Sequence, residues 1–87
     1  MYSKKVTVQN KTGIHARPAS MVVRMCNQYK EQEIHFIGNG RDTNPKNIIS
    51  VLSAGLSKGT EIEVQVIGEN EETVCNEIVA FIESLTD

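Results

Sequence analysis

The segment 61–67 places isoleucine or valine at every second position, with glutamate or glutamine between them. Successive side chains of a β-strand point to opposite faces, so this period of two predicts a strand with one buried and one solvated side. Residues 5–8 and 33–37 alternate in the same way. Several half-buried strands need a second layer over their common apolar face, which restricts the chain to a layered fold.

Three other segments have the spacing of helices rather than strands. The first is predicted over residues 16–28, where an i, i+3, i+4, i+7 repeat is formed by Ala19, Val22, Val23 and Cys26. A short apolar patch follows Asn44-Pro45, ends near Gly55 and predicts one or two helical turns. A last helix begins after Asn70, a possible N-cap, and its predicted buried stripe consists of Val74, Ile78, Phe81, Ile82 and Leu85.

The predicted element order is β-α-β-β-α-β-α, with a hairpin turn at Gly38-Asn39-Gly40 before a short third strand. This order predicts an α+β open-faced two-layer sandwich, in which three helices cover one face of a four-stranded antiparallel sheet. The sequence shows no internal repeat or linker. We therefore expect residues 1–87 to form a single domain.

Composition excludes several classes of function. Nine basic and eleven acidic residues give a formal net charge of -2, so the broad basic field expected of a nucleic-acid-binding protein is absent. No apolar run reaches the roughly 20 residues of a membrane span, and the N-terminus lacks the features of a signal peptide, which predicts a cytoplasmic protein without membrane insertion. Cys26 and Cys75 lack metal-site spacing and are predicted to be buried thiols; no metal or cofactor is expected.

One cluster of chemically active residues occurs where the first loop enters the first helix, at Gly-Ile-His-Ala-Arg-Pro-Ala-Ser, residues 13–20. The free N–H groups of a first helical turn form an anion site, and Pro18 suits such a turn because it has no N–H. The His15 imidazole could accept a phosphoryl group whose charge meets Arg17 and these donors. A residue before proline disfavours helical angles, so Arg17 lies at the boundary or is held there at a local cost. A structural role, with His15 as helix cap and Arg17 as a solvated charge, fits the same residues.

The same eight residues resemble the active-site signature of the HPr family, the histidine-containing phosphocarrier proteins of the bacterial phosphoenolpyruvate-dependent sugar phosphotransferase system. The likeness covers essentially the whole chain, including the hairpin and the segments 46–49 and 55–62. The resemblance implies that His15 is phosphorylated on Nδ1 by enzyme I and passes the group to sugar-specific IIA domains. It implies that Arg17 is the charge partner and that Ala16 and Pro18 support the phosphate. Such a protein is a carrier rather than an enzyme.

The resemblance also implies that partners dock over the first two helices, at Ser20, Arg24, Asn27, Ile49, Leu52 and Ser53. For Ile49 and Leu52, a place in the core is the alternative, because only part of that apolar patch can face outward. Many members have a regulatory serine, phosphorylated by HPr kinase, where this chain has Asn47. The missing hydroxyl argues against that phosphorylation, although asparagine can still act as an N-cap.

Two further functions fit the residues. An HPr-like paralogue that keeps His15 could act in a regulatory phosphorelay, transcriptional or nitrogen-linked, and would differ only in its partners. A pure interaction module with a structural histidine is disfavoured by the intact His15, Arg17 and Pro18. The second histidine, His35, lies in a predicted strand and is expected to be structural or exposed.

Overall fold

The computed structural model describes residues 1–86, and its elements follow the predicted order. They are β1 (Tyr2–Thr7), α1 (Ala16–Cys26), β2 (Glu33–Gly38), β3 (Arg41–Thr43), α2 (Ile48–Ser53), β4 (Glu61–Ile67) and α3 (Glu71–Ser84). The four strands pair antiparallel in one sheet of order β1-β4-β2-β3. The predicted α+β open-faced sandwich is therefore confirmed. Within the described residues, no helix has the length and apolarity needed to cross a membrane.

The sheet buries the apolar positions of its two central strands. Ile62, Val64 and Val66 of β4 are fully buried, as is Phe36 of β2. The alternate positions of these strands, such as Glu61 and Glu63, point to the uncovered face. The period of two therefore decides which face the helices cover.

Two long helices supply most of the second layer. In α1 the predicted positions 19, 22 and 26 are buried, whereas Val23 is only partly buried. In α3 the buried residues are Val74, Cys75, Ile78, Val79 and Ile82. Phe81 is only partly buried but packs against the core, and Cys75 and Val79 join the buried side of α3.

Both cysteines are buried, as predicted. Burial raises the pKa of the Cys26 thiol to about 12, although the nearby Lys46 charge acts in the opposite direction. Burial also raises the pKa of Cys75, whose Sγ donates to the carbonyl oxygen of Val64 at 3.4 Å. Both thiols therefore stay protonated and serve as small apolar side chains.

The start of α3 differs from the predicted cap. Asn70 occupies the N-cap position with a left-handed backbone (φ 56°), but its side chain makes no capping bond within residues 1–86. The carboxylate of Glu71 instead accepts from Gly68 N at 3.2 Å and pairs with the Met1 ammonium at 3.0 Å. These two bonds, the ammonium first, lower the pKa of Glu71. The Met1 ammonium, just before β1, thus ties the first turn of α3 to the N-terminal end of the sheet.

Candidate functional site

His15 stands at the N-cap of α1 with an extended backbone (φ -144°, ψ 163°) and an exposed side chain. Within residues 1–86 its ring makes no capping hydrogen bond, so the alternative in which this side chain caps the helix is wrong. The first intrahelical bond runs from Ala19 N to His15 O at 3.3 Å. The N–H groups of Ala16 and Arg17 therefore have no intrahelical acceptor, and Pro18 has no N–H to satisfy. An exposed imidazole thus lies next to two N–H donors that have no helical acceptor in residues 1–86.

The turn into α1 contains a strained residue. Ala16 has φ 48°, in the left-handed region that side chains with a Cβ rarely adopt. This conformation costs about 1–2 kcal/mol. The local cost expected at Arg17 before the proline is thus found at Ala16, the residue that joins His15 to Arg17.

The loop before His15 is fixed by a neighbouring loop. Ile14 N donates to Leu56 O at 2.8 Å, and the Asn10 side-chain amide donates to Gly13 O at 2.7 Å. Gly13 has φ 72°, and a Cβ added to it would lie only 2.4 Å from Leu56 O. Ile14 itself is buried in the core. The backbone of His15 is therefore held on its N-terminal side by tertiary contacts.

Arg17 is exposed and lines a depression of about 390 Å³ between the start of α1 and the end of α3. The other lining residues are Thr12, Ala16, Pro18, Met21, Phe81, Ser84, Leu85 and Thr86. His15 lines a smaller depression of about 210 Å³ on the side of Leu56. The structure thus places the imidazole, the guanidinium and the first-turn N–H groups at one end of α1, where His15 and Arg17 line two different depressions.

The predicted partner face is exposed. Ser20, Arg24 and Asn27 lie at i, i+4 and i+7 along one side of α1, and all three are exposed. Ile49 is 69% exposed and Leu52 38%, so the core alternative for these two residues is wrong. Val51 takes the core position of α2 instead. Sequence reasoning missed Met21 and Ile48, which are also exposed and extend the apolar surface.

Two residues of this face also make structural hydrogen bonds. The Asn27 side-chain amide donates to Val23 O at 2.9 Å and to Lys46 O at 3.0 Å, which ties α1 to the segment before α2. The Ser53 hydroxyl donates to Ile49 O at 2.7 Å. Substitution of Asn27 would therefore change the packing of the two helices as well as the surface.

Asn47 is the N-cap of α2, as predicted. Its Oδ1 accepts a hydrogen bond from Ser50 N at 3.0 Å, and its backbone is extended (φ -116°, ψ 117°). The amide performs the capping role that a serine hydroxyl could also perform. It offers no hydroxyl for phosphorylation.

His35 belongs to the uncovered face of the sheet, away from His15. Its Nδ1 lies 2.9 Å from Asp42 Oδ1 on β3, and its Nε2 lies 2.5 Å from Glu33 Oε2 on β2. The hydrogen bond to Glu33, and then the one to Asp42, raises the pKa of His35. The predicted structural role is therefore a link between two strands, but the two carboxylate partners were not anticipated.

Comparison with known proteins gives one consistent family. The family described as "PTS HPr component phosphorylation site" matches residues 2–84. The chain is 34% identical over 83 residues to HPr-like protein Crh of Halalkalibacterium halodurans, covering 95% of this chain and 98% of that protein. It is 34% identical over 79 residues to phosphocarrier protein HPr of Mycoplasma pneumoniae, covering 91% and 90%. The crystal structure of HPr from Thermoanaerobacter tengcongensis superposes with a TM-score of 0.90 at 31% identity, covering 97% of this chain and 93% of that one.

Proposed function

The chain belongs to the HPr family of phosphotransferase-system proteins, and on that basis we propose that it accepts a phosphoryl group on His15 from phosphorylated enzyme I and passes it to sugar-specific IIA domains. Members of this family are phosphocarriers rather than free-standing catalysts. The observation that carries the proposal is the exposed His15 ring at the start of α1, beside the free N–H groups of Ala16 and Arg17. The proposed place of action is the cytoplasm, and the proposal needs no metal or cofactor.

The proposed transfer follows from this geometry. The Nδ1 lone pair of neutral His15 attacks phosphorus, the bond from phosphorus to the donor atom breaks, and the donor keeps that electron pair. Negative charge on the phosphoryl oxygens is stabilised by the Arg17 guanidinium and by the first-turn N–H groups. Ala16 and Pro18 shape the turn that supports the group. Transfer to the acceptor reverses these steps.

A second function is favoured by one specific similarity. Besides its likeness to a phosphocarrier, the chain is 31% identical over 83 residues to HPr-like protein Crh of Bacillus subtilis, covering 95% of this chain and 96% of that protein. The alternative is thus an HPr-like protein in a regulatory phosphorelay. Both functions use the same exposed His15, so the identity of the acceptor separates them. Asn47 argues against HPr kinase as a partner in either case, because its side chain is an amide engaged as a helix cap.

The test is phosphorylation with phosphoenolpyruvate and enzyme I, followed by addition of a panel of IIA domains. We expect an acid-labile, base-stable phosphoryl group on wild-type protein and on the control His35→Ala, and none on His15→Ala. Phosphate on His15→Ala would refute the phosphohistidine assignment. Phosphorylation without transfer to any IIA domain, but with transfer to a regulatory protein, would favour the second function.

A further inference from the structure

The C-terminal end of α2 is capped by a different element. The last carbonyl groups of a helix lack intrahelical donors, and residues 48–53 contain no lysine or arginine that could meet them. Arg41 Nη1 donates to Ser53 O at 2.9 Å. Asn39 Nδ2 donates to Ala54 O at 3.2 Å and to Gly55 O at 2.8 Å. The tip of the β2–β3 hairpin therefore supplies three hydrogen bonds to the end of the helix.

The hairpin tip has a defined geometry. Asn39 (φ 54°) and Gly40 (φ 73°) both adopt left-handed backbones, and Gly38 pairs with Arg41 across the turn. This is the pattern of a two-residue type I′ turn, which matches the twist of the flanking strands. A side chain at its first position is therefore carried on a short, well-determined turn. The Asn39 amide is held close to Gly55 by that turn.

The segment that receives these hydrogen bonds continues to the loop of His15. Gly55 O also accepts from Ser57 N at 2.9 Å, which closes a tight turn around Leu56. Leu56 is buried, and its carbonyl oxygen accepts the hydrogen bond from Ile14 N. His15, Gly55 and Leu56 line the same depression. The path from the hairpin to His15 thus consists of direct contacts at every step.

We infer that Asn39 is a positioning residue for phosphoryl transfer, acting through Gly55 and Leu56 on the backbone of His15 and through Ala54 on α2. This inference rests on the proposed function. Asn39 touches neither the reacting nitrogen nor the phosphoryl group. Its side-chain N–H groups hold two carbonyl oxygens, and an aspartate of the same shape would turn an acceptor with negative charge toward both of them. Asn39→Asp should therefore displace the 54–56 segment more than Asn39→Ala does.

The experiment measures kcat and KM for phosphorylation by enzyme I at a temperature where all variants are fully folded by circular dichroism. A remote mutation that misplaces a reacting group by about 1 Å can cost about 10²-fold, so we expect the smaller displacement in Asn39→Asp to reduce kcat/KM by about 10-fold and Asn39→Ala to reduce it less. The control is Tyr29→Phe, which removes a 2.7 Å hydrogen bond from Tyr29, in the turn after α1, to Glu77 of α3. Like Asn39→Ala, this control loses tertiary hydrogen bonding and should have a lower free energy of unfolding than the wild-type protein. It should keep the wild-type kcat/KM.

A second readout follows the Ile14 amide by ¹H–¹⁵N NMR. Its proton should shift upfield in Asn39→Asp, as the bond to Leu56 O lengthens, and should not shift in Tyr29→Phe. Wild-type kcat/KM in both Asn39 variants would overturn the inference and show a purely structural cap. If the wild-type protein takes no phosphoryl group from enzyme I, the proposed function fails. In that case the Ile14 shift alone decides whether Asn39 positions the His15 loop.

Discussion

At the scale of single residues, His15 and Arg17 have different tasks in the proposed reaction. The imidazole forms the bond to phosphorus. The guanidinium stabilises the negative charge on the phosphoryl oxygens, to which the N–H groups of the first helical turn can also donate. Arg17→Ala should therefore slow single-turnover transfer by about 10²- to 10³-fold without abolishing it, the scale for loss of one preorganised donor. Arg17→Lys should recover only part of the rate, because an ammonium lacks the two-pronged fit to phosphate oxygens.

Rapid-quench measurements with radiolabelled phosphoenolpyruvate give these rates. The matched control is Arg24→Ala, which removes an exposed arginine from the same helix two turns further on. We expect this variant to raise KM for the partner and to keep the single-turnover rate at saturating partner. Equal losses of rate in the Arg17 and Arg24 variants would assign both arginines to docking instead.

Two glycines with nearly the same backbone angle test how tightly the His15 loop is packed. Gly13 and Gly40 have φ 72° and 73°, but a Cβ at Gly13 would clash with Leu56 O, whereas a Cβ at Gly40 meets nothing within 4 Å in residues 1–86. Gly40→Ala should cost about 1–2 kcal/mol from the left-handed backbone alone. Gly13→Ala should cost a further 1–3 kcal/mol, roughly the scale of overpacking. Urea unfolding of both variants measures the difference in the free energy of unfolding. Equal losses would mean that the loop containing Leu56 moves away from Gly13 and relieves the clash.

Residues 13–20 were found from the sequence because their chemistry is local. A histidine, an arginine and a proline at a predicted helix start are visible in the chain itself. The support from Leu56 and the left-handed backbone of Ala16 were not predicted, since both depend on where a loop 40 residues away is placed by the sheet. The Asp42 partner of His35 was missed because it depends on how β2 pairs with β3, whereas Glu33 lies two residues away on the same face of β2 and was a local signal that could have been found.

At the scale of elements, His35 links β3 to β2 in a pH-dependent way. The carboxylates of Glu33 and Asp42 favour the imidazolium form, and the neighbouring position on β4 is the neutral Gln65, whose amide binds Glu63. The pKa of His35 in the folded state is thus higher than in the unfolded chain. The stabilisation from these ion pairs is complete below the unfolded value of roughly 6.5 and is lost as pH rises through the folded pKa.

We therefore expect the free energy of unfolding of wild-type protein to fall, relative to His35→Gln, as pH rises above roughly 6.5. Urea unfolding at a series of pH values measures this difference and cancels contributions from groups common to both proteins. An NMR titration of His35 provides an independent check of the direction. A difference that grows with pH, or a His35 pKa below the ordinary value, would contradict the ion-pair account.

The element order and most boundaries were predictable, because hydrophobic periodicity is a local signal. The end of α1 was not: the sequence predicts a helix that runs to residue 28, but the helix ends at Cys26. Lys46 Nζ donates to Tyr29 O and Gln32 O at 2.7 Å each, and these bonds fix the path of the chain after the helix. Four of the six residues of α2 are apolar, and they point in several directions around the helix axis. Periodicity alone therefore could not identify Val51 as the buried residue.

At the scale of the whole molecule, the two faces of the sheet have different properties. The helices cover one face and carry His15 at the start of α1 together with the exposed apolar residues of α1 and α2. The other face presents mainly charged and polar side chains, with the exposed Ile67 at the end of β4. The helix α2 is short and buries Val51, whereas Ile49 and Leu52 are exposed, so these two residues are available to a partner. A group of exposed apolar residues beside a reactive group is the expected form of a docking site for another protein.

The two faces of the molecule should respond differently to an added negative charge. Ile49→Asp places a charge on the predicted partner face, at a residue that is 69% exposed, so it should leave the fold intact. It should weaken the binding of enzyme I and of IIA domains by about 10-fold or more, the loss expected of an interface hot spot. Ile67→Asp is the matched control, because Ile67 is also an exposed isoleucine, at 41%, but lies at the end of β4, opposite Glu33. Isothermal titration calorimetry with each partner measures both affinities. Since Ile49 does not take part in bond formation, the single-turnover rate at saturating partner should stay at the wild-type value. Equal weakening by the two substitutions would place the docking surface elsewhere, whereas weakening by Ile49→Asp alone would assign α2 to partner recognition and leave the chemistry to the start of α1.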